Sequence, residues 1–501
     1  MSTHDIASTP IGLSRGSRLS TSRWAPLPVV LAGTFMVVLD FFIVNVALPS
    51  IQSDLHAASG AIEWVVAGYA LTSAVFLITA GRLGDRYGRR RMFSWGLALF
   101  TLASTACGVA STPTQLVIAR LAQGIGGALL TPNVLSMIGV LYTGPDRVRA
   151  LSAYGSVMGI AAVSGQLIGG ALIAADPAGL GWRTCFLINL PIGAAALLLA
   201  PRVMGESRAA ARTPLDKGGT ILITAVLTAI VLPLVEGRQH GWPAWTWICL
   251  GAAPVLVAGF LAHQGRLSRR GGAPLLDMAL FRERSFSAGL LTQLAFWAGQ
   301  ASFFVVLALY LQQGRGLHPL AAGLVFTILA AAYTAASIAA PGLIVRHGRG
   351  VIASGALVLA AGHALLLAAV ARVGVGGSIG PLVPGLLLVG AGMGLVLAPL
   401  ATTILRSLDP ERAGAASGML TTMQNVGNAV GVAIVGVIFY GALPGGYPRA
   451  FELAVAALAG LLVVVAALTR LLPRGAGPSA ARASGRSAPT SQVIASPPRE
   501  G

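Results

Sequence analysis

Long apolar runs recur along the chain from residue 27 to residue 472, and short segments that carry most of the charges separate them. A helix needs about 20 apolar residues to cross the hydrocarbon core of a bilayer. Because that core offers no water to backbone amides, a spanning segment is either a helix or a strand of a closed barrel. The runs lack the alternation that is typical of barrel strands. The sequence therefore predicts an all-α membrane protein with fourteen transmembrane helices.

The distribution of basic residues supports this count and predicts an orientation. Of the 34 Lys and Arg residues, 28 fall on the side shared by the two termini, five fall on the opposite side, and Arg120 lies inside a span. Basic residues concentrate in cytoplasmic loops, so we expect both termini to be cytoplasmic. The net charge of +18 then reflects membrane topology, and we expect the lipid bilayer as a partner and no nucleic acid. A composition rich in Ala, Gly and Arg with one lysine suggests the cytoplasmic membrane of a bacterium.

Weak internal repetition predicts two related halves. The segment Gly81–Arg89 is partly repeated at residues 343–349, between the tenth and eleventh runs. Two six-helix halves with a two-helix insert between them explain this spacing, and such halves are typical of transporters with a substrate site at their interface. We divide the chain into a disordered cytoplasmic N-tail (1–24), an N-terminal six-helix bundle (25–204), an insert with its linkers (205–285), a C-terminal six-helix bundle (286–472) and a disordered cytoplasmic C-tail (473–501).

Asp40 is the one acidic residue that we place deep inside a span, and an intramembrane acid indicates a functional site by default. Arg120 is the one base inside a span, and Gln123 lies one turn further on the same helix face. Protonation of Asp40 would weaken an attraction to Arg120 and change the favoured conformation. The alternatives are a hydrogen bond that only holds packing for Asp40 and snorkelling to the membrane interface for Arg120.

The loop after the second run is dense in Gly and Arg and contains one acid. Glycines permit a tight reversal between spans, and the acid could accept hydrogen bonds from a helix N-terminus or from an Arg of the other half. A solvated positive loop is the alternative interpretation. The candidate cytoplasmic gate comprises Gly81, Asp85, Arg86, Gly88 and Arg89.

Small residues predict close packing of the fifth helix, and amide-bearing residues are candidates for the substrate cavity. Glycines spaced by about one turn allow helices to approach closely, and the fifth run contains Gly155, Gly159, Gly165, Gly169 and Gly170. Amides and aromatics inside a bundle suit large, partly apolar ligands, although such amides also bridge helices. Besides Asp40, the cavity candidates are Asn45, Gln166, Gln293, Trp297, Gln300, Gln424 and Asn428.

Four motifs in order resemble the major facilitator superfamily, in its 14-helix drug:proton antiporter branch. These are the first-helix segment Leu39–Pro49, the loop Gly81–Arg91, the fourth-run segment Arg120–Gly127 and the segment Trp182–Gly193 that leads into the sixth helix. The resemblance covers about residues 27 to 470. It implies alternating access, with Asp40 as a coupling or cation-recognition carboxylate, Arg120 assisting its protonation and Asp85 in the latch of the cytoplasmic gate.

Two positions depart from the branch pattern. Phe42 stands where the branch usually has Thr, and Gln166 stands where the antiporter motif of the fifth helix usually has Pro after Gly165. The first departure leaves the polarity of the cavity near Asp40 open, and the second weakens the inference of antiport specifically.

We therefore expect a proton-coupled exporter of drugs, antibiotics or similar amphipathic small molecules, acting as a monomer with protons as co-substrate. We expect no enzymatic activity, no cofactor and no metal, because the sequence has no His/Asp/Glu cluster and its three cysteines lack metal-like spacing. Three alternatives remain: an uptake symporter on the same fold, a membrane-embedded enzyme such as a lipid-linked transferase, and a non-transporting sensor or scaffold.

Overall fold

The computed structural model describes residues 23–207, 216–406 apart from 273, 277 and 279, and 413–472. The predicted tails, except Arg23 and Trp24, and the linker residues 208–215 lie outside the described residues. Within these, the long elements are α1 Pro26–Asp54, α2 Ser59–Tyr87, α3 Arg89–Gly108, α4 Pro113–Leu141, α5 Gly144–Ala175, α6 Thr184–Leu187, α7 Asn189–Val203, α8 Lys217–Gly237, α9 Ala244–Arg269, α10 Arg284–Leu309, α11 Pro319–His347, α12 Gly350–Val373, α13 Val383–Arg406, α14 Ala413–Ala442 and α15 Tyr447–Leu468.

Thirteen candidate membrane spans are found in the described residues, whereas the sequence predicts fourteen transmembrane helices. Helices α6 and α7 form one rod, because Ile188 between them keeps helical backbone angles (φ −57°, ψ −27°), and the span Gly181–Val203 includes both. Thirteen helices in the described residues are long and apolar enough to cross a membrane. Helix α3 is not among them, because its 20 residues begin with three consecutive arginines. The all-helical membrane architecture is confirmed.

Two ends of the helical assembly serve as reference. The proximal end is the end at which α1 begins, and the distal end is the end at which α1 finishes. Helices α2, α4 and α11 begin at the distal end. Helices α5, α8 and α10 finish at the distal end. Helices α1–α7 pack on one another and form the first bundle, and α10–α15 pack on one another and form the second bundle. The bundles meet along two seams, α2 against α14 and α5 against α11.

Close packing inside the first bundle depends on glycine. A Cβ atom at Gly126 of α4 would lie 2.6 Å from the backbone nitrogen of Phe100 in α3. A Cβ at Gly96 of α3 would lie 2.8 Å from the Cβ of Leu129 in α4. Both helices therefore approach to backbone contact, as small residues permit between helices in lipid. Phe100 is fully buried there, as is Phe93.

The insert of α8 and α9 lies against the α2–α14 seam, with α8 in contact with both helices. Asp216 caps α8 by accepting from the Gly219 amide at 2.7 Å, and it also accepts from Gln264 at 2.7 Å and pairs with His263 at 2.9 Å. Burial raises the pKa of Asp216, but the bonds from His263, Gly219 and Gln264 outweigh it, so that its pKa lies below the ordinary value. One carboxylate thus fixes the start of α8 to α9.

We expect Asp216→Ala to lower the free energy of unfolding by about 1–3 kcal/mol, because it removes an N-cap and leaves the fully buried Gln264 amide without its acceptor. The measurement is unfolding in detergent micelles followed by tryptophan fluorescence. Glu452→Ala is the control, since its ion pair with Arg449 is 3.7 Å long and partly exposed and such pairs contribute little. Equal losses in both variants would contradict the assigned anchor role.

Candidate functional site

The two charges that the sequence places inside spans form a sealed pair. Asp40 lies midway along α1 and Arg120 lies in the distal part of α4; their side chains are 0% and 1% exposed. Arg120 Nη1 donates to Asp40 Oδ2 at 2.5 Å and to Gln123 Oε1 at 2.8 Å. Gln123 Nε2 donates to Asp40 Oδ1 at 2.8 Å. Each carboxylate oxygen of Asp40 therefore has its own donor.

A second ring of groups holds the guanidinium of Arg120. Its Nε donates to the Val65 carbonyl oxygen at 2.9 Å, and its Cζ lies 4.4 Å from the centroid of the Tyr69 ring and 5.8 Å from that of Phe186. The thiol of Cys107 lies 3.7 Å from Gln123 Oε1. The side chain is thus fixed by a carbonyl, two aromatic faces and a carboxylate, and it does not snorkel.

This geometry defines what the pair can do chemically. Moving an ion out of water costs several kcal/mol, which pairing offsets only while both partners and their hydrogen bonds are in place. Adding a proton to Asp40 would leave the guanidinium of Arg120 buried without its counter-charge. The network is therefore built so that one proton makes a large energetic difference.

The two bundles contact each other at the distal end. Gln312 Nε2 donates to the Val46 carbonyl oxygen at 2.8 Å, and Gln313 Nε2 donates to Gln52 Oε1 at 2.9 Å. Nearer the membrane centre, the Phe42 ring of α1 meets the Phe304 ring of α10 edge to face, with centroids 5.3 Å apart. Phe42, at the position where the antiporter branch usually has Thr, thus belongs to an aromatic contact between the bundles.

The five glycines of α5 fall into three groups. Cβ atoms at Gly165 and Gly169 would lie 2.9 Å and 2.7 Å from side-chain atoms of α1, inside the first bundle. A Cβ at Gly170 would lie 2.6 Å from the Pro319 carbonyl oxygen of α11, in the second bundle. Gly155 and Gly159, toward the proximal end, have nothing within 4 Å of a Cβ. The predicted stripe thus forms a seam only in its distal half.

Three buried amides of the predicted cavity set have polar atoms without a hydrogen-bond partner in the described residues. These are both polar atoms of Gln166, Oε1 of Gln300 and Oδ1 of Asn428. Asn45 Nδ2 instead donates to the Phe41 carbonyl oxygen of its own helix at 2.8 Å, so this amide group is engaged within α1. The other candidates lie on α10 and α14, where Gln293 is buried and Trp297 and Gln424 are half-buried.

The predicted gate segment is paired locally. Asp85 accepts from Arg89 at 2.8 Å and 3.2 Å, whereas we expected a helix N-terminus or an Arg of the other half as its donor. The prediction overlooked that Asp85 and Arg89, four residues apart at the junction of α2 and α3, can pair with each other. Arg86 covers the neighbouring tyrosine ring at 5.4 Å, Gly88 has φ +111°, and Gly81 faces a proline of α4.

A second intramembrane acid is not evident from the sequence. Glu63 of α2 is 2% exposed, so Asp40 is not the one acid buried within a span. Its Oε1 accepts from Arg238, which follows α8, at 3.2 Å, and Arg238 Cζ lies 4.8 Å from the Tyr440 ring of α14. Glu63 lies two residues into its apolar run, a position that is typical of the membrane interface. No local signal reveals a partner 175 residues away.

Comparison with known proteins agrees with this architecture. The model of the Major Facilitator Superfamily matches residues 30–432. The chain is 39% identical over 440 residues to a "Probable actinorhodin transporter" of Streptomyces coelicolor, covering 87% of this chain and 75% of that protein. It is 35% identical over 477 residues to the "Cephamycin export protein CmcT" of Amycolatopsis lactamdurans, covering 92% and 95%.

Solved structures share the fold. A crystal structure of a POT family transporter in complex with 5-aminolevulinic acid matches with a TM-score of 0.65 at 17% sequence identity, over 89% of this chain and 96% of that one. At this identity the likeness shows the fold alone. The family match spans most of the helices described above, including the Asp40–Arg120 pair and both seams. The chain is a multi-pass membrane transporter and belongs to the Major Facilitator Superfamily.

Proposed function

We propose that this chain is a proton-driven exporter of amphipathic small molecules of the antibiotic and drug class, working by alternating access. The observation that carries the proposal is the sealed network of Asp40, Arg120 and Gln123, in which a titratable carboxylate and its counter-ion are held between two helices within the membrane. The names of the relatives, which include antibiotic exporters, support the direction of transport and the substrate class.

The proposed cycle uses the pair as a charge switch. With Asp40 ionised, the network holds α1 against α4 in the conformation seen here, with the distal ends of the bundles in contact. Protonation of Asp40 in the alternate conformation removes the attraction to Arg120 and changes the relative free energy of the two conformations. We infer that Asp40 takes up a proton from the distal side in the alternate conformation and releases it toward the proximal side before the bonds to Arg120 and Gln123 form again, because the carboxylate is fully buried once they have formed.

We assign the proximal end to the cytoplasm, with both termini on that side, from the bias of Lys and Arg toward the loops of that end. Helix α3 is then the fourteenth span, as the 14-helix antiporter branch requires, since its apolar residues are buried against α4 while its three arginines stay at the proximal end. In this proposal the transporter is a monomer whose bundles, 25–204 and 286–472, move relative to each other. The insert connects the two bundles in the sequence.

The proposed substrate is partly apolar and bears hydrogen-bonding groups. The unpartnered polar atoms of Gln166, Gln300 and Asn428 come from three helices of both bundles, and aromatic rings such as Phe304 lie between the bundles. A ligand that bonds such amides and stacks on such rings combines an aromatic body with polar substituents.

The test is transport in proteoliposomes with an imposed pH gradient, using ethidium and puromycin as probes. For an exporter that exchanges protons for substrate, an acidic lumen drives accumulation, because protons leave as substrate enters. An uptake symporter gives accumulation with an acidic exterior instead, and a sensor or scaffold gives no substrate-dependent proton flux with either polarity. Accumulation that ignores the gradient in both directions would contradict proton coupling.

A further inference from the structure

Glu63 lies where three parts of the molecule meet. It is on the distal part of α2 in the first bundle, it bonds Arg238 of the insert at 3.2 Å, and it faces Gly436 of α14 in the second bundle. A Cβ at Gly436 would lie 2.6 Å from Glu63 Oε2, so the carboxylate sits directly against the α14 backbone. Arg238 also donates to Ser59 at 2.6 Å and covers the Tyr440 ring.

The carboxylate is only half paired. Glu63 Oε2 has no hydrogen-bond partner in the described residues, and the same holds for Tyr440 Oη and Arg238 Nε. A small cavity lined by Glu63, Ser302, Tyr440 and apolar side chains of α10 and α14 adjoins it.

The other ionisable groups around Glu63 come from each neighbouring element. Arg238 and Glu236 lie at the end of α8, Tyr440 lies on α14, and Tyr447 of α15 lies beyond it. Glu236 is itself engaged, since its Oε1 accepts from the Trp64 indole at 2.7 Å. Arg238 is therefore the single cation bonded to Glu63 in the described residues, and it reaches one oxygen of the carboxylate.

This arrangement differs in kind from the pair at Asp40. There both carboxylate oxygens have donors and the charge is compensated, whereas at Glu63 one oxygen lies against Gly436 of α14 and has no donor in the described residues. Burying a charged oxygen without a partner costs more than burying a neutral carboxylic acid. Because α14 and Tyr440 belong to the second bundle, separating the distal ends would uncover Glu63, and we infer that closing them creates that cost.

We propose that Glu63 is a second proton-binding carboxylate, which takes up a proton from the distal solution and thereby stabilises the closed distal end. The inference rests on the proposed alternating-access exporter and adds its outer control point. In the cycle, a proton that arrives when the distal end is open neutralises Glu63 and favours closure, so that the empty transporter returns to the conformation described here.

The experiment measures the distance between the bundles at the distal end as a function of pH. Spin labels on Thr114→Cys in α4 and Ser378→Cys before α13, both exposed, report the closed and open populations by pulsed electron spin resonance in detergent without substrate. Cys249→Ser removes the partly exposed native thiol, and Cys107 and Cys185 are buried; protein without the introduced cysteines checks for background labelling. We expect the closed-to-open ratio to rise as the pH falls, by up to about tenfold per pH unit for one proton.

Glu63→Gln should give the closed population at every pH and lose this response. The neighbouring Glu236→Gln, whose carboxylate accepts from the Trp64 indole, should retain it. Arg238→Gln removes the remaining donor to Glu63, so the midpoint of the response should move to higher pH; this variant tests the role of Glu63 even if Glu63→Gln does not fold. A pH-independent ratio in the native chain, a native-like response in Glu63→Gln, or a midpoint in Arg238→Gln that stays or moves to lower pH would each overturn the proposal.

The two proposals fail separately. If the native chain accumulates substrate without regard to the pH gradient while the distal distance still responds to pH through Glu63, the exporter mechanism is wrong and the proton site stands. If accumulation follows the gradient and the distance does not respond, the exporter stands and the role of Glu63 is wrong.

Discussion

Arg120→Met is expected to lower the free energy of unfolding by about 3–5 kcal/mol, because it leaves the fully buried carboxylate of Asp40 as an uncompensated charge. Met has nearly the length of the Arg stem, so the apolar packing of the stem is kept. Gln123 remains as a donor but carries no charge. The measurement is equilibrium unfolding in detergent micelles, with far-ultraviolet circular dichroism as a second probe of the same transition.

The matched control is Arg183→Met, which breaks an ion pair with Asp54 at 2.8 Å, where the side chains of Arg183 and Asp54 are 25% and 46% exposed. Exposed pairs contribute about 0–1 kcal/mol, so burial is the main difference between the two variants. The double variant Asp40→Asn/Arg120→Met removes both charges and should recover most of the lost stability. A double variant as unstable as Arg120→Met would show that the cost is steric and that the pair has no electrostatic role. The double variant should also transport without dependence on the pH gradient.

Gly170→Leu is expected to shift the closed-to-open ratio at the distal end by roughly 5- to 150-fold toward the open state. Gly170 faces the α11 backbone of the other bundle, where even a Cβ would lie 2.6 Å from the Pro319 carbonyl oxygen. Overpacking costs about 1–3 kcal/mol, and each 1.4 kcal/mol is a tenfold change in a ratio. Because the crowded atoms belong to different bundles, separating the distal ends relieves the strain without unfolding either bundle. The spin labels at Thr114 and Ser378 measure the shift.

Gly155→Leu in the same helix is the control, since a Cβ there meets nothing within 4 Å. It should leave the distal ratio closed at the pH at which the native chain is closed. Gly165→Leu separates packing from conformational change: its crowded neighbours lie on α1 in the same bundle, so it should lower the unfolding free energy without opening the distal end. If all three substitutions opened the distal end alike, the glycines would act through helix flexibility and not through contacts across the seam.

The features that the sequence predicted are those that a lipid environment imposes on the chain. A chain in lipid has to satisfy its backbone within helices, and a buried charge has to find a partner, so the helical fold and the approach of Asp40 to Arg120 both follow from residue types in apolar runs. Gln123 followed from helical spacing alone. The sequence did not predict which helix each α5 glycine contacts. Gly165 and Gly170 have similar surroundings in the sequence, but Gly165 contacts α1 and Gly170 contacts α11.

Glu63 shows where such reasoning stops. Glu63 lies at the start of an apolar run, which is the position of an ordinary acid at the membrane interface. Its partner in the buried ion pair, Arg238, comes from the insert 175 residues away. Helix α3 shows the converse. The sequence predicts a span there from the apolar run that follows the arginines, and the alternation of basic loops supports it; the arginines weaken the hydropathy of the helix, and this span stays a prediction.

The position of the insert has a consequence for how a lipid-soluble molecule reaches the space between the bundles. Helix α8 contacts both α2 and α14 and so shields that seam from the acyl chains, whereas the seam of α5 and α11 has no such outer helix in the described residues. The two seams therefore differ in their exposure to lipid. A compound dissolved in the membrane meets the α5–α11 seam directly, where Gly170 packs against the start of α11, while on the far side it meets the outer surface of the insert.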